Sequence, residues 1–157
     1  MVAMDSGSAA DLRDVAIGCA GLLASCAGFI RERLGDPQAR ECVVACGHVI
    51  VEVGAVVDRI VTLFPALKLT ENDWGTVESE RAGRSAIAPG NNPRTRLLLD
   101  IGAVEDRVLM MQATAPELGV HLATVIERLS AFARLVDENV PGTRCCLMAH
   151  SAKRCRK

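Results

Sequence analysis

The sequence predicts an all-α protein, an antiparallel bundle of about four long helices with a long loop between helices two and three. Three observations carry this. Apolar side chains recur at three- and four-residue steps through four segments, and glycines and prolines separate those segments. Half of the 157 residues are hydrophobic but only 3% are aromatic, with no Tyr, so the core must be Leu, Val, Ile, Ala and Met. That composition suits helix packing better than a sandwich or barrel. The length fits one domain able to bury roughly 70% of its extended-chain surface.

The most apolar segment, Glu41 to Phe64, is expected to be the central helix that the others cover. Its charges are confined to Glu41, Glu52, Asp58 and Arg59. Val43, Cys46, Ile50, Val53, Val57, Ile60 and Leu63 form its stripe, with Val44, Val49, Val51 and Val56 on the flanks. Those charges interrupt any apolar span of ~20 residues, which argues against a membrane helix here.

Residues 1–10 are expected to be disordered, and Ser8 with Asp11 resembles a capping box. A first helix follows from about Asp11 to Leu34. Its interior, Val15 to Ile30, holds no charge and is just short of a membrane span; Gly18, Gly21 and Gly28 would each weaken a lone helix by about 1 kcal/mol. It reads as a second core helix packed tightly on the central one. Gly35-Asp36-Pro37 closes it and opens the next.

Residues 64–93 form the expected long flexible loop. It holds Trp74, the acids Glu71, Asp73, Glu78 and Glu80, and the breakers Pro89 to Pro93, with one helical turn expected near Thr70–Val77. Loops of this length are usually functional or disordered. The third helix is expected over Arg94–Ala113, its apolar side at Leu97, Leu98, Ile101, Val104, Val108 and Met111. Pro116 opens the fourth, with Glu117 in its first turn. Leu118, Leu122, Val125, Ile126, Leu129, Phe132, Ala133 and Val136 form its stripe, and Pro141-Gly142 stops it. Residues 11–142 thus make the bundle and 143–157 a basic, cysteine-containing tail.

Charge is unevenly placed. All nineteen acids lie at or before Glu138, whereas Arg144, Lys153, Arg154, Arg156 and Lys157 leave the last fourteen residues at +5. The body should repel nucleic acid, and direct DNA binding by this chain is not expected. Cys19, Cys26, Cys42 and Cys46 sit in apolar runs and read as small hydrophobes, reduced and intracellular. His48 with Glu52, and His121 with Glu117, are i,i+4 pairs, and neither fits the Glu-x-x-His of di-iron bundles. No phosphate loop and no nucleophile with a base is present, so no enzyme is expected, and no cofactor.

In the tail, Cys145, His150 and Cys155 match three ligand spacings of a zinc knuckle, but Gly142 stands where the first cysteine belongs. No metal site is expected. Lys153, Arg154, Arg156 and Lys157 form a nuclear-import-like cluster, and Cys145 and Cys146 are candidates for acylation.

Ile101-Gly102-Ala103-Val104, Glu105-Asp106-Arg107, Met110-Met111-Gln112, Glu117-Leu118 and the run VIERLSAF, with Asp58-Arg59-Ile60 to Phe64 upstream, form two patches. They resemble the C-terminal regulatory domain of fungal aflatoxin-regulator-type zinc-cluster transcription factors. That family carries Ile-Gly-x-Tyr, Glu-Asp, a Met and Gln in a helix, and Glu-Leu before a last amphipathic helix. Here the Tyr is absent, Cys-x-Cys becomes Cys42-x3-Cys46, and nothing resembles the six-cysteine zinc cluster. The resemblance implies a regulatory domain without its DNA reader.

The expectation is therefore a non-catalytic regulatory or protein-interaction domain, in the nucleus, serving transcriptional regulation of a fungal secondary-metabolite gene cluster. A protein partner is expected, a homodimer being one form. The alternative is a cytoplasmic, membrane-associated adaptor acylated on its tail, although a membrane partner is the less expected. A catalytic bundle using His48 and Glu52 is the third reading weighed.

Overall fold

The computed structural model describes residues 4–35, 37–68 and 92–140. Asp5 opens the first helix, α1 (Ser6–Arg33). Its Oδ1 accepts a hydrogen bond from the Ser8 backbone N–H at 2.7 Å, satisfying one of the donors that a helix start leaves unpaired. This bond holds the Asp5 carboxyl below its usual range. Residues 6–10, expected to be disordered, are thus helical, and Ser8 is the donor to the cap rather than the cap itself.

The second helix, α2 (Gln38–Leu63), follows Pro37 without a side-chain cap and ends in a single 3-10 turn, Pro65–Leu67. The third, α3 (Pro93–Thr114), is capped by Asn92, whose Oδ1 accepts from the backbone N–H groups of Arg94 and Thr95 at 3.0 and 3.2 Å. Pro93 sits at the position where a missing N–H costs nothing. A second 3-10 turn, Pro116–Leu118, leads into the fourth helix, α4 (Gly119–Asn139). Among the described residues there are four long helices and no strand, so the protein is all-α. The expected long loop lies mostly outside the described residues, as does the turn near Thr70–Val77.

The helices form a ring in which α1 packs on α2 and α3, and α4 packs on the same two. Side-chain reach gives their directions. Arg13, near the start of α1, donates to the carbonyl of Leu67 just past the end of α2, at 2.9 Å. Arg96, near the start of α3, lies over the ring of Phe29, near the end of α1. Arg94 donates to the carbonyl of Asp137, at the end of α4, and the thiol of Cys42, at the start of α2, reaches toward that of Leu135. Every neighbouring pair is therefore antiparallel, while α2 and α3 run parallel across the diagonal. Leu67 sits level with Arg13 and Arg96 with Phe29, sixteen residues further along α1 and hence about 24 Å away. The chain leaves α2 at one end of the bundle and enters α3 at the other. Single-crossover bundles have this connectivity.

The core is Leu, Val, Ile, Ala, Cys, Met and one Phe, and among the described residues no polar or charged side chain is buried. On α4 every residue of the expected stripe is buried or half-buried, Leu129 and Phe132 completely. On α3 the stripe holds likewise, Leu98 being half-buried.

The expected phase of α2 is corrected. Of the expected stripe Cys46, Val53, Val57 and Ile60 are buried, but the seam centres on Cys42, Cys46, Val49, Val53, Val56 and Ile60, alternating steps of four and three. Val43 and Ile50 are half-buried at its edge, and Leu63 is 40% exposed. Nor is α2 covered on all sides, since Val44 and Val51 are 50% and 68% exposed. In a ring of four each helix buries one stripe, whatever the polarity of its outer side. On α1 the inward small residues are Ala9, Ala16, Cys19, Gly21, Cys26 and Ala27. Gly28 has nothing within 4 Å of where a Cβ would stand.

Candidate functional site

The two His–Glu pairs lie on different helices, α2 and the start of α4. His48 is exposed on the outer side of α2, with Glu52 half-buried one turn on. His121 is half-buried on α4, while the Oε1 of Glu117 accepts the backbone N–H of Met4 at 3.0 Å, tying the N-terminal segment to the start of α4. Among the described residues no three His, Cys, Asp or Glu side chains converge as metal ligands.

Cys19, Cys26, Cys42 and Cys46 are reduced thiols buried in the interior. Cys46 donates to the carbonyl of Leu23 at 3.1 Å, joining α2 to α1. Burial, only partly opposed by nearby donors and by Arg31, pushes its pKa up to about 12. Burial, and then the charge of Glu41, raises that of Cys42. The thiolate is the reactive form, so these two cysteines are chemically quiet and act as packing residues.

A groove of about 420 Å³ lies where α1 and α3 meet. Ala24, Ser25 and Gly28 line it beside Phe29, Arg31, Glu32 and Arg96. The guanidinium carbons of Arg33 and Arg96 stand 5.1 and 5.0 Å from the Phe29 ring centre, within cation–π range. The sequence offered no signal that Arg96 joins the α1 residues here, because it is distant from them along the chain. A smaller groove of about 220 Å³ is bounded by Arg31, Ala39, Arg40, Val43 and Val44. In the first groove Ser25 and Glu32 stand seven residues apart on α1, about 10 Å along its axis.

The outer surface is more informative. Val44 and Val51 on α2, Leu99, Leu109 and Met110 on α3, and Val120 on α4 are exposed, Val120 at 82%. Sequence reasoning placed Val44 and Val51 on the flanks of a covered helix, so this surface was missed. Its one signal was the four-three seam of α2, which leaves both valines opposite it.

Among the described residues α1 alone is long and apolar enough to cross a membrane, and 56% of its most apolar window is buried within the bundle. Lys153, Arg154, Arg156 and Lys157, with Cys145 and Cys146, lie outside the described residues. No known protein family, curated protein or solved structure matches the chain.

Proposed function

We propose that this chain is a non-catalytic helical interaction domain that regulates transcription of fungal secondary-metabolite genes, acting in the nucleus through a protein partner. One observation carries the interaction reading: large apolar side chains stand in solvent on the outer sides of α2 and α3, around a core in which, among the described residues, no polar side chain is buried. Val44 and Val51 stand two turns apart on one side of α2, where a single apolar face can pack on both. The regulatory part of the proposal rests on the resemblance of the Ile101 to Gln112 region and the VIERLSAF run. Nuclear entry would be served by Lys153, Arg154, Arg156 and Lys157. The test is the distribution of the fluorescently tagged chain in fungal cells. Nuclear accumulation lost when those four residues are neutralised supports the proposal, and uniform cytoplasmic distribution of the intact chain defeats it.

The length and apolar character of α1 favour a second reading, a membrane-associated adaptor acylated at Cys145 and Cys146. Membrane fractionation abolished by Cys→Ser at both positions supports it, and a wholly soluble intact chain removes it.

A further inference from the structure

We infer that the outer side of α2 is a self-association surface, on which α2 of a second copy packs antiparallel about a two-fold axis near residues 49 and 50. The inference deepens the interaction reading by committing to its partner, and it is independent of nuclear localisation. At 100° per residue, Val44, His48, Val51 and Ala55 lie opposite the buried seam and form an outward stripe with its own four-three-four spacing. Val44, His48 and Val51 are exposed and Ala55 half-buried. Gly47 and Gly54 border this stripe, and nothing lies within 4 Å of where a Cβ would stand on either, so an approaching helix meets little side-chain bulk there.

Charge selects the partner. Arg40 and Asp58 lie on one flank of the stripe, and Glu41 and Arg59 on the other; all four are exposed. The charges therefore read plus then minus along the first flank, and minus then plus along the second. A two-fold axis in the interface keeps each flank on its own side and reverses its direction. Arg40 then meets Asp58 of the second copy, and Glu41 meets Arg59. The same operation sets Val44 beside Ala55 and His48 beside Val51. A parallel arrangement would set Arg40 against Glu41 and Asp58 against Arg59, so the double variant Glu41→Arg with Arg59→Glu, which restores only the antiparallel pairs, distinguishes the two. Arg40 already has a polar contact within its own chain, so the argument leans on Glu41 with Arg59. Opposite charges across an interface fix register and suppress wrong pairings. One helix pair buries less than the ~1,600 Å² of a standard stable interface, which makes this a weak, concentration-dependent dimer.

Sedimentation equilibrium of the full chain from about 1 to about 200 μM tests it. The native chain should dimerise within that range. Glu41→Arg and Arg59→Glu should each weaken association by more than about tenfold, because each opposes like charges at both ends of the interface. The double variant, and an equimolar mixture of the two single variants, should regain it. Val51→Glu should abolish association while leaving the melting temperature of the dilute protein unchanged, since the side chain is exposed within one copy. A native chain still monomeric at the highest concentration overturns the inference. So does association that survives Val51→Glu, association lost instead through Leu99→Glu on α3, or a double variant that fails to recover.

Discussion

Leu129 and Glu127 are two residues apart on α4, the first completely buried and the second exposed. Leu129→Asp places an unpaired carboxylate among apolar neighbours and should cost several kcal/mol, close to the whole margin of a small domain. Glu127→Ala should cost under about 0.5 kcal/mol. Chemical denaturation of both variants checks the difference. Asn92 accepts two backbone donors at the start of α3, and its replacement by Ala should cost about 1 kcal/mol by the same measurement. Cys46 supplies a pH dependence. The unfolded thiol sheds its proton near the ordinary 9.0, whereas the folded one keeps it until about 12. The raised folded value means that this contribution to stability is whole below pH 9 and is lost as pH climbs from there toward 12. Urea midpoints should therefore fall between about pH 8 and about 10.5, and fall less in Cys46→Ala.

The element scale shows what could be read from residues alone. The register of α4 was legible because Glu127, Arg128, Arg134, Asp137 and Glu138 mark its wet side. That of α2 was not, because valines occur all round it and periodicity alone cannot tell a buried Val49 from an exposed Val51. The candidate surface was hidden for the same reason, since its valines look like core. Asp5 and Asn92 were overlooked as caps, one inside a segment read as disordered and the other among loop breakers. On α3, Gly102 belongs to the Ile-Gly element that carries part of the family resemblance, yet nothing approaches within 4 Å of a Cβ placed there. With no packing requirement for glycine, Gly102→Ala should raise stability by about 0.5–1 kcal/mol through helix propensity. A drop in the thermal midpoint would show that the position is constrained by something besides the bundle.

At the scale of the molecule, the long stretch between α2 and α3 has a topological reason. Residues flanking it lie about 24 Å apart along the bundle, so the chain has to cover that distance before α3 can begin. Length alone, as read in the sequence, could not separate this requirement from a functional loop. Replacing residues 69–91 by four residues allows a reach of only about 18 Å, which should prevent the native arrangement. A Gly/Ser segment of the original length should preserve helix content and a cooperative melt, both read by circular dichroism.

Because α1 and α4 point the same way, the bundle takes in the polypeptide at one pole and releases it at the other. Met4 is fastened beside Glu117 at the first pole, and Val140 closes α4 at the second. With α4 about 32 Å long between them, the protein is a stiff strut. Cargo fused ahead of Met4 and cargo fused after Val140 would be held that far apart, a separation that energy transfer between two fluorophores can measure.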